Sequence, residues 1–155
     1  MPEPDTFIYN TLIRGCMLAQ MTQHCVLTYT HMLEMSVWPN NFTFPTIVKA
    51  CCSGASNAVR EGEQVHAHVF KFGFWEDTFS QNSFIHMYLS FGFLDEARPV
   101  FDNMGCPDVV LWTILIAGYA KLGFVDEAYK VFELMPGRNA ASAFMECNYC
   151  GICAE

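Results

Sequence analysis

Apolar residues recur at three- and four-residue intervals along most of this chain, with polar residues between them. After Asn82 one set runs Phe84, Ile85, Tyr88 and Leu89, and a second runs Leu94, Ala97, Val100, Phe101 and Met104. Each set falls on one face of a helix. Gly92 separates the two sets and Gly123 the next two; a helix that stops and reverses there needs the left-handed backbone that glycine tolerates. Asp95 and Asp126 follow, suited to the positive end of the next helix dipole. The pattern predicts antiparallel helical hairpins.

The hairpins repeat. GFLDEARPVFDNM from Gly92 and GFVDEAYKVFELM from Gly123 agree at eight of thirteen positions, and the same offset of 31 carries Tyr88 onto Tyr119, Asn82 onto Thr113 and Asp108 onto Asn139. One hairpin cannot bury its apolar face alone, so the units must stack. Pro99 stands where the next copy has Lys130. A proline past the first turn removes a backbone hydrogen bond, which predicts a kink in that helix rather than its loss.

Composition adjusts this picture in three ways. Of 155 residues 52% are hydrophobic, enough for a core, and the longest apolar run, Val109 to Ala120, is shorter than the roughly 18 residues of a membrane span. A soluble helical domain is expected, with no membrane partner. Cys16, Cys25, Cys51 and Cys52 fall within helical patterns and read as reduced, buried thiols. The net charge of −8 argues against a binder that works by neutralising phosphates, though reading splayed bases by hydrogen bonds needs fewer such contacts. Met1-Pro-Glu-Pro-Asp is acidic, and no signal or transit peptide is read there.

The stretches YNTLIRG from Tyr9, TFPTIVKAC from Thr43, GEQVHAHVFKFGF from Gly62, NSFIHMY from Asn82 and WTILIAGYAKLGFVDEAYKVFELMP from Trp112 resemble the plant pentatricopeptide repeat family. More narrowly, they resemble the subclass that alternates standard, long and short repeats. The resemblance covers residues 4–139 and implies an all-α, right-handed superhelical solenoid of four helix-turn-helix repeats, at 6–40, 41–77, 78–108 and 109–139. The pattern then breaks, and residues 140–155 read as a divergent, cysteine-containing tail.

The family reads one nucleotide of single-stranded RNA per repeat, through the fifth residue of the first helix and the last residue of the repeat. Carried onto this chain, the reading pairs are Asn10 with Asn40, Pro45 with Asp77, Asn82 with Asp108, and Thr113 with Asn139. The chemistry is coherent: an Asp carboxylate accepts from the ring N–H of uracil or guanine, and an Asn amide donates to the bare ring nitrogen of cytosine or adenine. The implied target is 5′-(C or U)-N-U-A-3′, with the second nucleotide open because Pro45 has no amide to offer. The bland alternative makes each Asn or Asp a turn or cap residue.

Other constellations carry less. His66 and His68 are two apart on a helix and do not face one way, so they do not share a metal. Cys147, Cys150 and Cys153 have chelating spacing but no fourth ligand after them, and no cofactor is expected. Neither H-x-E nor P-C-x-x-C, the signature of zinc deaminases, occurs, so no catalytic residue is assigned. The resemblance implies RNA binding in a mitochondrion or chloroplast, in RNA editing or processing, with any enzyme an editing or processing factor supplied in trans. The alternative is a helical-repeat scaffold for protein partners. RNA binding requires Arg14, Lys49, Lys71 and Lys121 to gather along one groove, whereas a scaffold requires an apolar or acidic groove.

Overall fold

The computed structural model describes residues 4–53 and 58–136, which contain eight α-helices and no strand. They are α1 (Thr6–Leu18), α2 (Thr22–Glu34), α3 (Thr43–Ser53), α4 (Val59–Phe72), α5 (Thr78–Phe91), α6 (Leu94–Asp102), α7 (Val109–Lys121) and α8 (Val125–Leu134). The sequence pattern anticipated this all-α order. Gly92 and Gly123 end α5 and α7 with φ of 83° and 89°, as the reversals require. At each, two backbone bonds close the helix end: Phe93 N–H to Tyr88 carbonyl with Gly92 N–H to Leu89, and Phe124 N–H to Tyr119 with Gly123 N–H to Ala120. The turn after α1 makes the same pair of bonds with Gln20 in the glycine position, at φ 57°. A side chain there holds left-handed backbone at a steric cost that glycine avoids.

Two compact units divide within α5, after Met87. In the first, α3 packs against α1, α2 and α4, and the fully buried side chains include Ile13, Met32, Phe44, Ile47, Val69 and Phe84. Each such side chain contributes about 1.5–3 kcal/mol on burial. Two tyrosine–histidine bonds tie the helices further: Tyr9 Oη lies 2.8 Å from His31 Nδ1, and Tyr29 Oη lies 2.9 Å from His68 Nδ1. Burial pushes the Tyr29 phenol above its ordinary range, with Cys51 a lesser cause. Burial, then Lys71, holds the His68 imidazole below its own. His66 stacks on Phe84 at 4.5 Å instead of meeting His68.

In the second unit α7 packs on α8, and Val100, Leu111, Leu115 and Val131 are buried. A Cβ added at Gly118 of α7 would stand 2.8 Å from Leu89 Cδ1, so the missing side chain is what lets α7 approach α5. The α6 helix runs unbroken through Pro99, so it is not lost, and the Asn103 amide donates to the Pro99 carbonyl at 2.8 Å.

Cys16, Cys25, Cys51 and Cys52 are free thiols. Burial first, with neighbouring acids and thiols adding, raises Cys25 to about 11 and Cys51 to about 12, so neither ionises near neutrality. Among the described residues no helix is long and apolar enough to cross a membrane, and no group of three metal-ligating side chains occurs. The tail, with Cys147, Cys150 and Cys153, lies outside the described residues.

Two stability predictions follow from these contacts. Gln20→Gly should raise stability by about 1 kcal/mol by relieving the left-handed residue, and Gly118→Val should lower it by about 1–3 kcal/mol by forcing α7 off Leu89. Thermal melts of both variants check the opposite signs. Acid should also destabilise the chain. Because the folded state holds His68 and His66 below their ordinary value, their contribution is complete above about pH 6.5 and declines as the pH falls below it. The melting temperature should therefore drop between pH 7.5 and pH 5, and less steeply in His68→Asn.

Candidate nucleic-acid interface

Every first helix of a hairpin begins at a short polar side chain that takes up its unpaired N–H groups. Asp5 Oδ1 accepts from Ile8 N–H at 3.0 Å, and Asn40 Oδ1 accepts from Phe42 and Thr43 N–H at 3.0 and 3.2 Å. Asp77 Oδ2 accepts from Ser80 N–H at 2.9 Å, and Asp108 Oδ1 from Leu111 N–H at 2.8 Å. The cap role weighed against base reading is thus realised at Asn40, Asp77 and Asp108. The two roles do not compete for atoms. A cap uses one oxygen, leaving the Asn40 amide nitrogen, Asp77 Oδ1 and Asp108 Oδ2 without a partner among the described residues.

Counting from the caps fixes the rest of the site. Five residues on stand Asn10, Pro45, Asn82 and Thr113, and nine residues on stand Arg14, Lys49, His86 and Ala117. In the first unit these positions converge on an open cleft of about 1180 Å³, lined among others by Asn10, Asn40, Pro45, Arg14 and Lys49. There the Asn10 amide nitrogen donates to Asn40 Oδ1 at 3.0 Å, so the first predicted pair is in direct contact. The two exposed cations sit one helical turn beyond Asn10 and Pro45, at the same cleft. A chain of net charge −8 thus carries a local site with two cations against the single carboxylate of Asp5.

The remaining pairs are less complete. Pro45 lines the cleft, while Asp77 is held as the cap of α5. Asn82 is half-buried on α5 in the first unit, its Oδ1 buried without a hydrogen-bond partner; Asp108 belongs to the second unit. The Thr113 hydroxyl turns back onto its own helix, donating to the Val109 carbonyl at 2.8 Å, and Asn139 lies outside the described residues. Of the four cations expected along one groove, only Arg14 and Lys49 come together. Lys71 ends α4 with its ammonium 5.7 Å from the Phe72 ring centre, and Lys121 ends α7 in the other unit. No residue of α2 or α4 lines the cleft, which a linear list of basic residues does not reveal.

Sequence reasoning missed one set of residues altogether. Two residues after each cap stand Phe7, Phe42, Phe79 and Val110, exposed at 76%, 70%, 73% and 62%. Phe7 and Phe42 line the same cleft. Large apolar side chains left in water together, as Phe7 and Phe42 are, form an apolar patch of the kind that contact surfaces carry. The signal was legible as an aromatic recurring two places after Asp5, Asn40 and Asp77, but hydrophobic periodicity assigns any such residue to a core.

Helical hairpins capped at a common register position define a helical-repeat protein. Family models described as PPR repeat and PPR repeat family match residues 103–136 and 4–53. The chain is 40% identical over 115 residues to pentatricopeptide repeat-containing protein At3g22690 of Arabidopsis thaliana, covering 74% of this chain and 13% of that protein. It is 38% identical over 108 residues to At1g08070, chloroplastic, of the same plant, covering 70% of this chain and 14% of that one. The crystal structure of pentatricopeptide repeat protein PPR10 from maize superposes with a TM-score of 0.62 at 23% identity, over 86% of this chain and 19% of that chain, which establishes the fold. This chain belongs to the pentatricopeptide repeat family. It spans about a fifth or less of the length of these relatives.

The caps carry a prediction independent of any ligand. Asp108→Ala should cost about 0.5–2 kcal/mol, whereas Asp108→Asn should change stability by only a few tenths, because asparagine caps as well as aspartate. Denaturant melts of the two variants distinguish them, and a large loss in Asp108→Asn would contradict the cap geometry.

Proposed function

We propose that the cleft binds single-stranded RNA and reads one nucleotide per hairpin, without catalysis by this chain. The observation that carries the reading is the meeting, in one cleft, of the Asn10–Asn40 pair, the exposed rings of Phe7 and Phe42, and the cations Arg14 and Lys49. These are the three chemistries a splayed strand needs. Exposed rings stack on base faces, worth about 1–3 kcal/mol per base. Amide and carboxylate groups address base edges, and guanidinium and ammonium groups address phosphates. The caps Asp5, Asn40, Asp77 and Asp108 are spaced 35, 37 and 31 residues apart, which fits alternating standard, long and short repeats. A relative named as chloroplastic supports action in an organelle, where an editing or processing factor in trans would supply any reaction.

The pairs Asn10/Asn40, Pro45/Asp77, Asn82/Asp108 and Thr113/Asn139 then favour 5′-(C or U)-N-U-A-3′. Asp108→Asn exchanges an acceptor for a donor while keeping the cap. Preference at the third nucleotide should move from U towards C by roughly tenfold, following the about 1–3 kcal/mol typical of a matched polar edge. Titrations of both proteins with 5′-CAUA-3′ and 5′-CACA-3′ in common flanks check this. Arg14→Gln with Lys49→Gln should weaken both RNAs alike and flatten the salt dependence. If Asp108→Asn tightens on both RNAs equally, or neither protein binds RNA, the base-reading assignment fails and a protein-binding scaffold takes its place.

A further inference from the structure

Beneath the Asn10–Asn40 pair lies a third side chain that faces neither solvent nor cleft. Thr43, three residues after the cap, is 1% exposed. Its hydroxyl stands 2.7 Å from Asn10 Oδ1 and 3.1 Å from Asn40 Oδ1, and it accepts from the Asn40 N–H at 3.0 Å. A hydroxyl has one proton, and the shorter contact takes it, so Thr43 donates to Asn10 Oδ1.

The direction of the whole network follows from the backbone. Asn40 Oδ1 receives two backbone N–H groups, which can only donate, so its oxygen end is fixed inward. Asn10 must then offer its amide nitrogen to that oxygen and its own oxygen to Thr43. The Asn40 amide nitrogen is left for the cleft, as a donor. Neither amide can flip without setting donor against donor or acceptor against acceptor.

The same position does related work in the next unit. Ser80, 0% exposed, donates its hydroxyl to Asp77 Oδ2 at 2.7 Å, on the oxygen that also receives the Ser80 N–H at 2.9 Å. Two donors on one oxygen tether that end of the carboxylate and leave Oδ1 as the outward acceptor. Leu111, at this position after Asp108, offers no hydroxyl, and Asp108 Oδ1 is held by the Leu111 N–H.

We propose that the hydroxyl-bearing residue three places after the caps Asn40 and Asp77 is a positioning residue for nucleotide choice. Thr43 holds the Asn10 amide in the orientation that the Asn40 oxygen selects, and Ser80 tethers one Asp77 oxygen so that the other stays in a fixed outward position. The ligand is the base of a single-stranded RNA, so this rests on the base-reading assignment above. Neither hydroxyl touches the base. Thr43 acts by removing the amide rotamers that would present the wrong partner, since a freely rotating amide offers donor and acceptor alike, and Ser80 acts by fixing where the outward Asp77 acceptor stands.

Thr43→Val keeps volume and removes the hydroxyl, and Thr43→Ser restores it. In the full chain, preference for 5′-CAUA-3′ over 5′-GAUA-3′ should fall about three- to tenfold in Thr43→Val and return in Thr43→Ser, because a freed amide could also accept from the guanine ring N–H; the range lies within the discrimination of one polar edge. Without RNA, the Asn10 side-chain amide should gain mobility in nitrogen relaxation measurements on Thr43→Val. Ser80→Ala provides a second site should Thr43→Val fold poorly, read without RNA as gained mobility of the Asp77 side chain in carbon relaxation measurements. Unchanged base preference and a rigid amide in Thr43→Val, together with an unaffected Ser80→Ala, overturn the proposal. Asn40→Asp separates the two levels: if it shifts the first nucleotide while Thr43→Val does not, base reading stands and positioning fails. If Asn40→Asp shifts nothing, base reading fails and positioning with it.

Discussion

The start of each first helix depends on one hydrogen bond, from a backbone N–H to the oxygen of a short polar side chain. Without it the leading amides of α1, α3, α5 and α7 would face a partly apolar surface unsatisfied, and the helices would fray from that end. With it, the side chain is pinned at a defined distance from the helix axis. Every other position in the cleft is then a fixed number of residues, and so a fixed rotation, away: the rings of Phe7 and Phe42 at two, Asn10 and Pro45 at five, and Arg14 and Lys49 at nine. The register of the site is thus the register of the caps.

This dependence explains what could be read from the sequence. Helical periodicity in Phe84–Leu89 and Leu94–Met104, with glycine at Gly92 and Gly123, was sufficient for the hairpins because the spacing of apolar residues within one segment marks a helix without reference to its neighbours. The first reversal was harder, since Gln20 adopts the glycine conformation with no glycine to announce it. The reading pairs came from resemblance, and the fold places one of them, Asn10 with Asn40, in contact.

What stayed hidden has a common cause. Phe7 and Phe42 were indistinguishable from core residues because exposure depends on which helix lies opposite, not on the residue itself. Arg14 and Lys49 could not be separated from Lys71 for the same reason: all three fall on helices, but only first helices line the cleft. The role of Thr43 was further out of reach. Its hydroxyl gains meaning only when two amides 30 residues apart converge on it.

Placing the cap and the outward-facing polar group on one side chain has an evolutionary consequence. Asparagine and aspartate start a helix about equally well, yet one shows an amide and the other a carboxylate. Exchange between them takes a single substitution and leaves the hairpin intact. Under the base-reading assignment, an array built this way can drift from one RNA to another through intermediates that all fold, so that new targets are reached without crossing a valley of unstable proteins.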